Sequence, residues 1–293
     1  MGTAYSMLVT AAFMACLGGL LAFFLSIASK RLYVYEDPRI DLVEELLPHA
    51  NCGACGTAGC RNFAEQTVAG QIEPASCTVN TAEQNKHIAA LLGVAMGNVE
   101  KRVARLACAG GHHVAKMRAR YRGLTSCRAA SVAGGGGKNC SWGCLGLGDC
   151  ADVCNFDAIV IDRHGLPVVD LAKCTACGDC VDICPKNLFF IHGVTKKLWI
   201  ACRNEDEPDA AEAACEVACT ACGRCVVDGT PELIRLEKNL AVIDYEKNAL
   251  DNRVAIERCP TGAIVWFEGG LTFKGKSAKK IIRIESLPAP LEV

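Results

Sequence analysis

The sequence predicts an α+β protein with one N-terminal transmembrane helix, a small α-rich domain built on four cysteines, and tandem modules of short strands and helices. Three observations predict it. Met7 to Ser29 contains no charged residue; Cys52, Cys55, Cys60 and Cys77 form a close-spaced set; and from Cys127 to Pro260 one cysteine pattern is written twice. A shift of 75 residues lays Cys127 on Cys202, Cys140 on Cys215, Cys144 on Cys219, Cys150 on Cys225, Cys184 on Cys259 and Pro185 on Pro260 without a gap. A register kept through six positions marks a tandem repeat in which each copy is one cysteine-ligated unit. The implied segments are an anchor over 1–31, the four-cysteine domain over 32–100, a first repeat with a basic, glycine-rich lead-in over 101–200, a second, partly degenerate repeat over 201–270, and a basic tail over 271–293.

The apolar stretch is rich in Leu, Phe, Ala, Val and Ile and is long enough to cross a bilayer as a helix. Lys30 and Arg31 follow at once, which by the positive-inside rule keeps the body of the protein on the cytoplasmic side of its membrane. A cleaved signal peptide is the competing reading, but Met1 to Ser6 holds no Lys or Arg, and secretion would expose the thiols to oxidation. Cys16, inside the span, reads as a small apolar packing residue.

Beyond the anchor, Ile40, Val43, Leu46 and Leu47 recur at helical spacing. The C-x2-C-x4-C-x16-C set of Cys52, Cys55, Cys60 and Cys77 follows, with Gly53, Gly56 and Gly59 letting the backbone wrap a bulky ligand. Four thiolates suit a tetrahedral zinc or a [4Fe-4S] cluster, and the spacing alone does not separate them. The cysteine runs downstream favour iron. Ala82 to Leu92 is predicted as a helix and Arg102 to Leu106 as a strand. Gly134 to Lys138 superficially looks like a phosphate loop, but Asn139 stands in the Ser/Thr place and no apolar strand precedes it, so a flexible loop is expected.

Cys174-Thr-Ala-Cys177-Gly-Asp-Cys180-Val-Asp-Ile-Cys184-Pro185 is the C-x2-C-x2-C-x3-C-P run of bacterial ferredoxins, so the repeats are expected to be ferredoxin-like modules. In two-cluster ferredoxins the first three cysteines of a run bind one cluster and the fourth crosses to the other. Cys174, Cys177 and Cys180 therefore take Cys154 as fourth ligand. The partner cluster takes Cys184, Cys144 and Cys150, but Leu147 stands where its fourth ligand belongs. Cys140, Cys127 or Cys108 must supply it, and Cys140 is nearest in sequence. In the second repeat, Cys219, Cys222, Cys225 and Cys259 form one complete set, while the other set has become Gly229, Ala249, Asn252 and Ala255. Losing all four together supports the crossing scheme. With Cys140 so assigned, Cys108, Cys127, Cys202 and Cys215 remain, either as a fifth cluster bridging the repeats or as free thiols; a third alternative is that the cluster deficient at Leu147 is missing altogether. The expected cofactors are [4Fe-4S] clusters, at least three and up to five.

Twenty-one cysteines in 293 residues, at C-x2-C spacings, point to metal in a reducing compartment rather than to disulfides. The net charge of −1 argues against a nucleic-acid binder. Lys101, Arg102, Arg105, Lys116, Arg118, Arg120, Arg122 and Arg128 nevertheless form a basic stretch, suited to docking an acidic ferredoxin or simply to a solvated face. No Ser/His/Asp constellation or dinucleotide fingerprint is present, so the residues argue for electron transfer without bond-making chemistry.

Leu47-Pro48-His49-Ala50-Asn51-Cys52-Gly53-Ala54-Cys55-Gly56, behind one membrane helix and ahead of ferredoxin modules, resembles the B subunit of the Rnf complex, the ion-translocating ferredoxin:NAD+ oxidoreductase of bacterial membranes. Cys140-Ser-Trp-Gly-Cys144-Leu-Gly-Leu-Gly-Asp-Cys150 resembles its longer, cluster-rich form, from which the second repeat departs by its lost cysteines. The resemblance implies a non-autonomous subunit of an ion-translocating oxidoreductase, a translocase. It also implies membrane sister subunits, a peripheral NADH and flavin subunit, and reduced ferredoxin as donor. The alternatives are the electron-input subunit of another membrane reductase and a zinc-stabilised scaffold with no redox role.

Overall fold

A computed structural model describes residues 2–32 and 35–287. Helix α1, Gly2–Leu32, is apolar on every side, and none of its long apolar window is buried by the rest of the chain. A helix with no polar face and no protein partner needs an apolar medium, so this one is long and apolar enough to span a membrane.

The four-cysteine domain follows as α2 (Arg39–Glu45), α3 (Cys60–Val68) and α4 (Ala82–Leu92). The last keeps its sequence-predicted bounds because both ends are signalled locally. Thr81 and Gln84 close a reciprocal capping box, and Gly93 ends the helix at φ 68°, which only glycine adopts freely. Val43, Leu47, Phe63, Ala64 and Ile88 form the small core against which Cys77 is buried.

The remainder is short strands and one- to two-turn helices in a repeating order. First come β1 (Arg102–Leu106), α5 (Cys127–Val132), α6 (Asp149–Asp152), β2 (Ile159–Ile161), β3 (Pro167–Val169), α7 (Asp179–Ile183) and β4 (Phe189–Gly193). Next come β5 (Leu198–Ile200), α8 (Pro208–Ala214), α9 (Arg224–Asp228), β6 (Ile234–Glu237), β7 (Leu240–Ile243), α10 (Val254–Glu257), β8 (Ile264–Glu268) and β9 (Leu271–Phe273). The hairpins β2–β3 and β6–β7 correspond, and β1 pairs antiparallel with β4 as β5 does with β8. Leu106 faces Phe189 and Ile200 faces Ile264. Phe189 and Ile264 stand at the offset of 75, whereas Leu106 and Ile200 are 94 apart. The first repeat thus carries 19 extra residues between its opening strand and its cysteine run.

Those extra residues include the glycine run, which is not the loose loop its composition suggests. Arg118 and Ala119 both donate their backbone N–H to the Gly137 carbonyl, and a Cβ on Gly137, at φ +78°, would collide with the Ala119 carbonyl. The run packs against backbone and turns Lys138 into the interior, 3% exposed. Where the second repeat has lost cysteines, apolar side chains fill the space: Leu233, Ile234, Ala255 and Ile256 are buried, and Gly229 backs onto Ala255. The side chain at Ala249, from the same lost set, and the end of the basic tail, 288–293, lie outside the described residues.

Backbone hydrogen bonds join the repeats, among them Ala109 N–H to the Ala201 carbonyl and Glu216 N–H to the Val114 carbonyl, and side chains add to them. Trp199 Nε1 donates to the Leu106 carbonyl at 2.9 Å, and Lys196 Nζ to that of Tyr245 at 2.6 Å.

Candidate metal centres

Twenty cysteines lie beyond α1, and the fold gathers them into five hollows of four. The hollows are partly open to solvent and similar in size.

In the first hollow, the Cys52 site, Cys52, Cys55, Cys60 and Cys77 meet. Asn51 Oδ1 accepts the Cys60 N–H at 2.8 Å, tying the loop to the start of α3, and Thr57 Oγ1 lies 3.1 Å from Cys55 Sγ. In the Cys174 site, Cys174, Cys177 and Cys180 meet Cys154. Ala104 N–H points at Cys174 Sγ and Ala158 N–H at Cys154 Sγ, each at 3.4 Å.

The Cys144 site differs from the sequence expectation. Cys144, Cys150 and Cys184 are joined by Cys127, and Cys140 lies elsewhere. The reason is Asp149, whose carboxylate accepts the N–H of Cys127 at 2.8 Å, the N–H of Arg128 at 3.1 Å and the hydroxyl of Ser126 at 3.0 Å. Asp149 caps α5 and brings its first residue, Cys127, beside Cys150. Sequence reasoning missed Asp149, because the same Gly-Asp-Cys triplet recurs at Asp179 without this partner.

The Cys108 site correspondingly holds Cys108, Cys140, Cys202 and Cys215. Each repeat contributes two thiols in matching positions. Cys108 and Cys202 each stand two residues beyond β1 and β5, and Cys140 and Cys215 each stand four before a run. Their hydrogen bonds match as well. Cys108 Sγ accepts from the N–H of Gly110 and of Cys144, both at 3.4 Å; Cys202 Sγ accepts from Asn204 at 3.5 Å and Cys219 at 3.3 Å. A Cβ on Gly110 would come within 3.2 Å of Cys215 Sγ, so the backbone passes close to the thiols only because the residue is glycine. The fifth hollow, the Cys219 site, is formed by Cys219, Cys222, Cys225 and Cys259. Cys222 is the one exposed cysteine among the twenty.

The donor sets fit iron–sulfur clusters better than zinc. A zinc ion holds its four sulfurs about 2.3 Å from one point, yet among the described residues no three metal-binding side chains converge closely enough to hold a single ion. Four thiols spread around a hollow, with backbone N–H groups aimed at several of the sulfurs, are the surroundings a cubic cluster needs. Burial pushes the Cys144, Cys150, Cys180, Cys202 and Cys225 thiols up to about 12. Thiolates there require a cationic guest.

A helix long and apolar enough to span a membrane, a mixed α and β body and cysteine-walled hollows of this chemistry define a membrane-associated iron–sulfur electron-transfer protein. Comparison with known proteins agrees. The FeS family model, for an Fe-S cluster domain, matches residues 47–79, and a 4Fe-4S binding domain model matches residues 166–192. The B subunit of the Na(+)-translocating ferredoxin:NAD(+) oxidoreductase complex of Acetobacterium woodii is 40% identical over 88% of this chain and 76% of its own length. The B subunit of the ion-translocating oxidoreductase complex of Methanosarcina acetivorans is 40% identical over 86% and 96%. The counterpart from the proton-translocating complex of Clostridium ljungdahlii is 35% identical over 90% and 94%. The chain belongs to the B-subunit family of these Rnf-type complexes.

Proposed function

We propose that the five hollows hold five [4Fe-4S] clusters, that the two repeats are tandem ferredoxin-like modules, and that the chain relays electrons from reduced ferredoxin to sister subunits of an ion-translocating ferredoxin:NAD(+) oxidoreductase. Each cluster, when bound, supplies a one-electron carrier whose potential follows burial and hydrogen bonding to sulfur.

The observation that carries this reading is a series of contacts that links each site to the next. Thr78, next to Cys77, donates to the carbonyl of Thr175, next to Cys174, at 2.7 Å. The short helices α6 and α7 each separate a thiol of the Cys174 site from one of the Cys144 site: Cys154 from Cys150, and Cys180 from Cys184. The Cys144 N–H reaches Cys108 Sγ, and the Cys219 N–H reaches Cys202 Sγ. The relay therefore runs Cys52, Cys174, Cys144, Cys108, Cys219. Its first station follows the membrane helix in sequence, and its last presents exposed Cys222 to a donor. By the positive-inside rule, Lys30 and Arg31 favour a body on the cytoplasmic side. Electrons leave for the membrane partner at the Cys52 site. Cys55→Ala should stop transfer to that partner while the other stations are still reduced; normal transfer in that variant would overturn the exit.

A second input is favoured by one observation. Cys127 opens α5 among exposed Arg118, Arg120, Arg122 and Arg128, with Leu124 75% exposed beside them. An acidic ferredoxin docked there would reach the Cys144 site directly. On that reading, Arg120→Glu with Arg128→Glu lowers the rate of reduction roughly tenfold at low salt and flattens its salt dependence. An unchanged rate in stopped-flow mixing leaves input at Cys222.

A further inference from the structure

The thiols of the Cys108 site come in matched pairs, but their surroundings do not. Lys138 corresponds, at the offset of 75, to Ala213 in the second repeat, and Asn204 corresponds to Gly110 through the strands that precede them. Two polar side chains therefore stand on this site where its own partial symmetry would put a methyl group and a hydrogen.

Both are held in place. The Lys138 ammonium donates to the carbonyls of Gly110 and Cys144, and no carboxylate pairs with it among the described residues. An interior cation without a counter-ion is costly. Its walls are Cys108, Cys140, Cys202 and Cys215, and a cluster held by four thiolates is the missing negative charge. Asn204 is 1% exposed. Its Nδ2 donates to Cys140 Sγ at 3.6 Å, and its Oδ1 is fixed by the Asp206 N–H at 2.8 Å. None of the other four hollows has a buried lysine in its wall.

Adding an electron to a cluster adds negative charge beside these groups. A fixed ammonium and an amide N–H aimed at sulfur favour the reduced form over the oxidised one, which raises the reduction potential. We propose that Lys138 and Asn204 are positioning residues that make the Cys108 site the high-potential station of the relay, where the first electron to arrive comes to rest between the two repeats. The ammonium bonds the carbonyl of Gly110 at this site and that of Cys144, a thiol of the neighbouring one, so its field reaches both.

The inference rests on the five-cluster reading, and one experiment separates the two. Full-length protein is purified anaerobically in detergent, its iron and sulfide are counted, and its clusters are titrated by potential with EPR detection, the Cys108 signal being the one that Cys202→Ala removes. About 16 iron in the wild type, instead of about 20, overturns the five-cluster reading. With about 20 iron, Lys138→Gln should lower the midpoint of the Cys108 signal so that its reduced-to-oxidised ratio at fixed potential falls at least tenfold, about 59 mV for one electron. Iron content should be unchanged, and Lys138→Arg should restore the wild-type value. A midpoint that stays put at full iron content overturns the inference alone. Should Lys138→Gln lose iron, Asn204→Leu, which keeps the ammonium, must lower the same midpoint, and an unmoved signal there overturns it equally.

Discussion

In the Cys202→Ala variant, electrons delivered at the exposed end stop at the Cys219 site, and reduction of the Cys52 site falls to background. The reason is the line of sites. Cys202 accepts the Cys219 N–H on one side, and its counterpart Cys108 accepts the Cys144 N–H on the other. No other thiol links the Cys219 and Cys144 sites among the described residues. Iron analysis should show about four of about 20 irons missing, and rapid-freeze EPR after mixing with reduced ferredoxin should show only the Cys219 signal. Reduction of the Cys52 site at the normal rate would mean that electrons join the relay beyond the break, on its Cys52 side, at the basic surface beside Cys127.

Complete removal of iron should unfold everything beyond α1. Both repeats are built of strands of three to five residues and helices of one or two turns. Such a body is held by its metal cross-links. Stripped of iron, the thiols that burial pushes up to about 12 are neutral near pH 7, and the hollows lose the clusters that would cross-link their walls. Circular dichroism of chelator-treated protein in detergent should retain the α1 signal and lose the cooperative thermal transition. Zinc should not restore it, since the thiols stand too far apart for one ion. A preserved transition in iron-free protein would show that apolar packing suffices.

Much of this architecture is written locally. The membrane helix follows from one uncharged stretch, α4 from its capping box and terminal glycine, and the Cys52 and Cys174 groupings from spacings of a few residues. Over such distances a thiol has few places to go, because the chain between ligands is nearly as short as the cluster is wide. The crossing of Cys154 and Cys184 is equally local, for the one-turn helices α6 and α7 turn their two ends toward different hollows.

The exchange of Cys127 and Cys140 was not legible. The offset of 75 pairs Cys127 with Cys202, but this correspondence is one of sequence only, since the strand pairing makes Cys108 the partner of Cys202. Nineteen additional residues leave several cysteines within reach of the place vacated at Leu147, and chain length does not choose among them. Asp149 does, by capping α5.

The sequence by itself determined the long apolar stretch, the cysteine chemistry and the family, because each rests on residues near one another in the chain; the offset of 75 is likewise a property of the sequence alone. Tertiary structure alone sets Cys127 rather than Cys140 beside Cys144, gathers Cys140 with Cys108, Cys202 and Cys215, and turns Lys138 inward behind the glycine run; the single line of sites is what we propose from these placements. Each of these depends on which distant backbone groups meet across the repeats, and strand register and hydrogen-bond partners fix that only once the chain has folded.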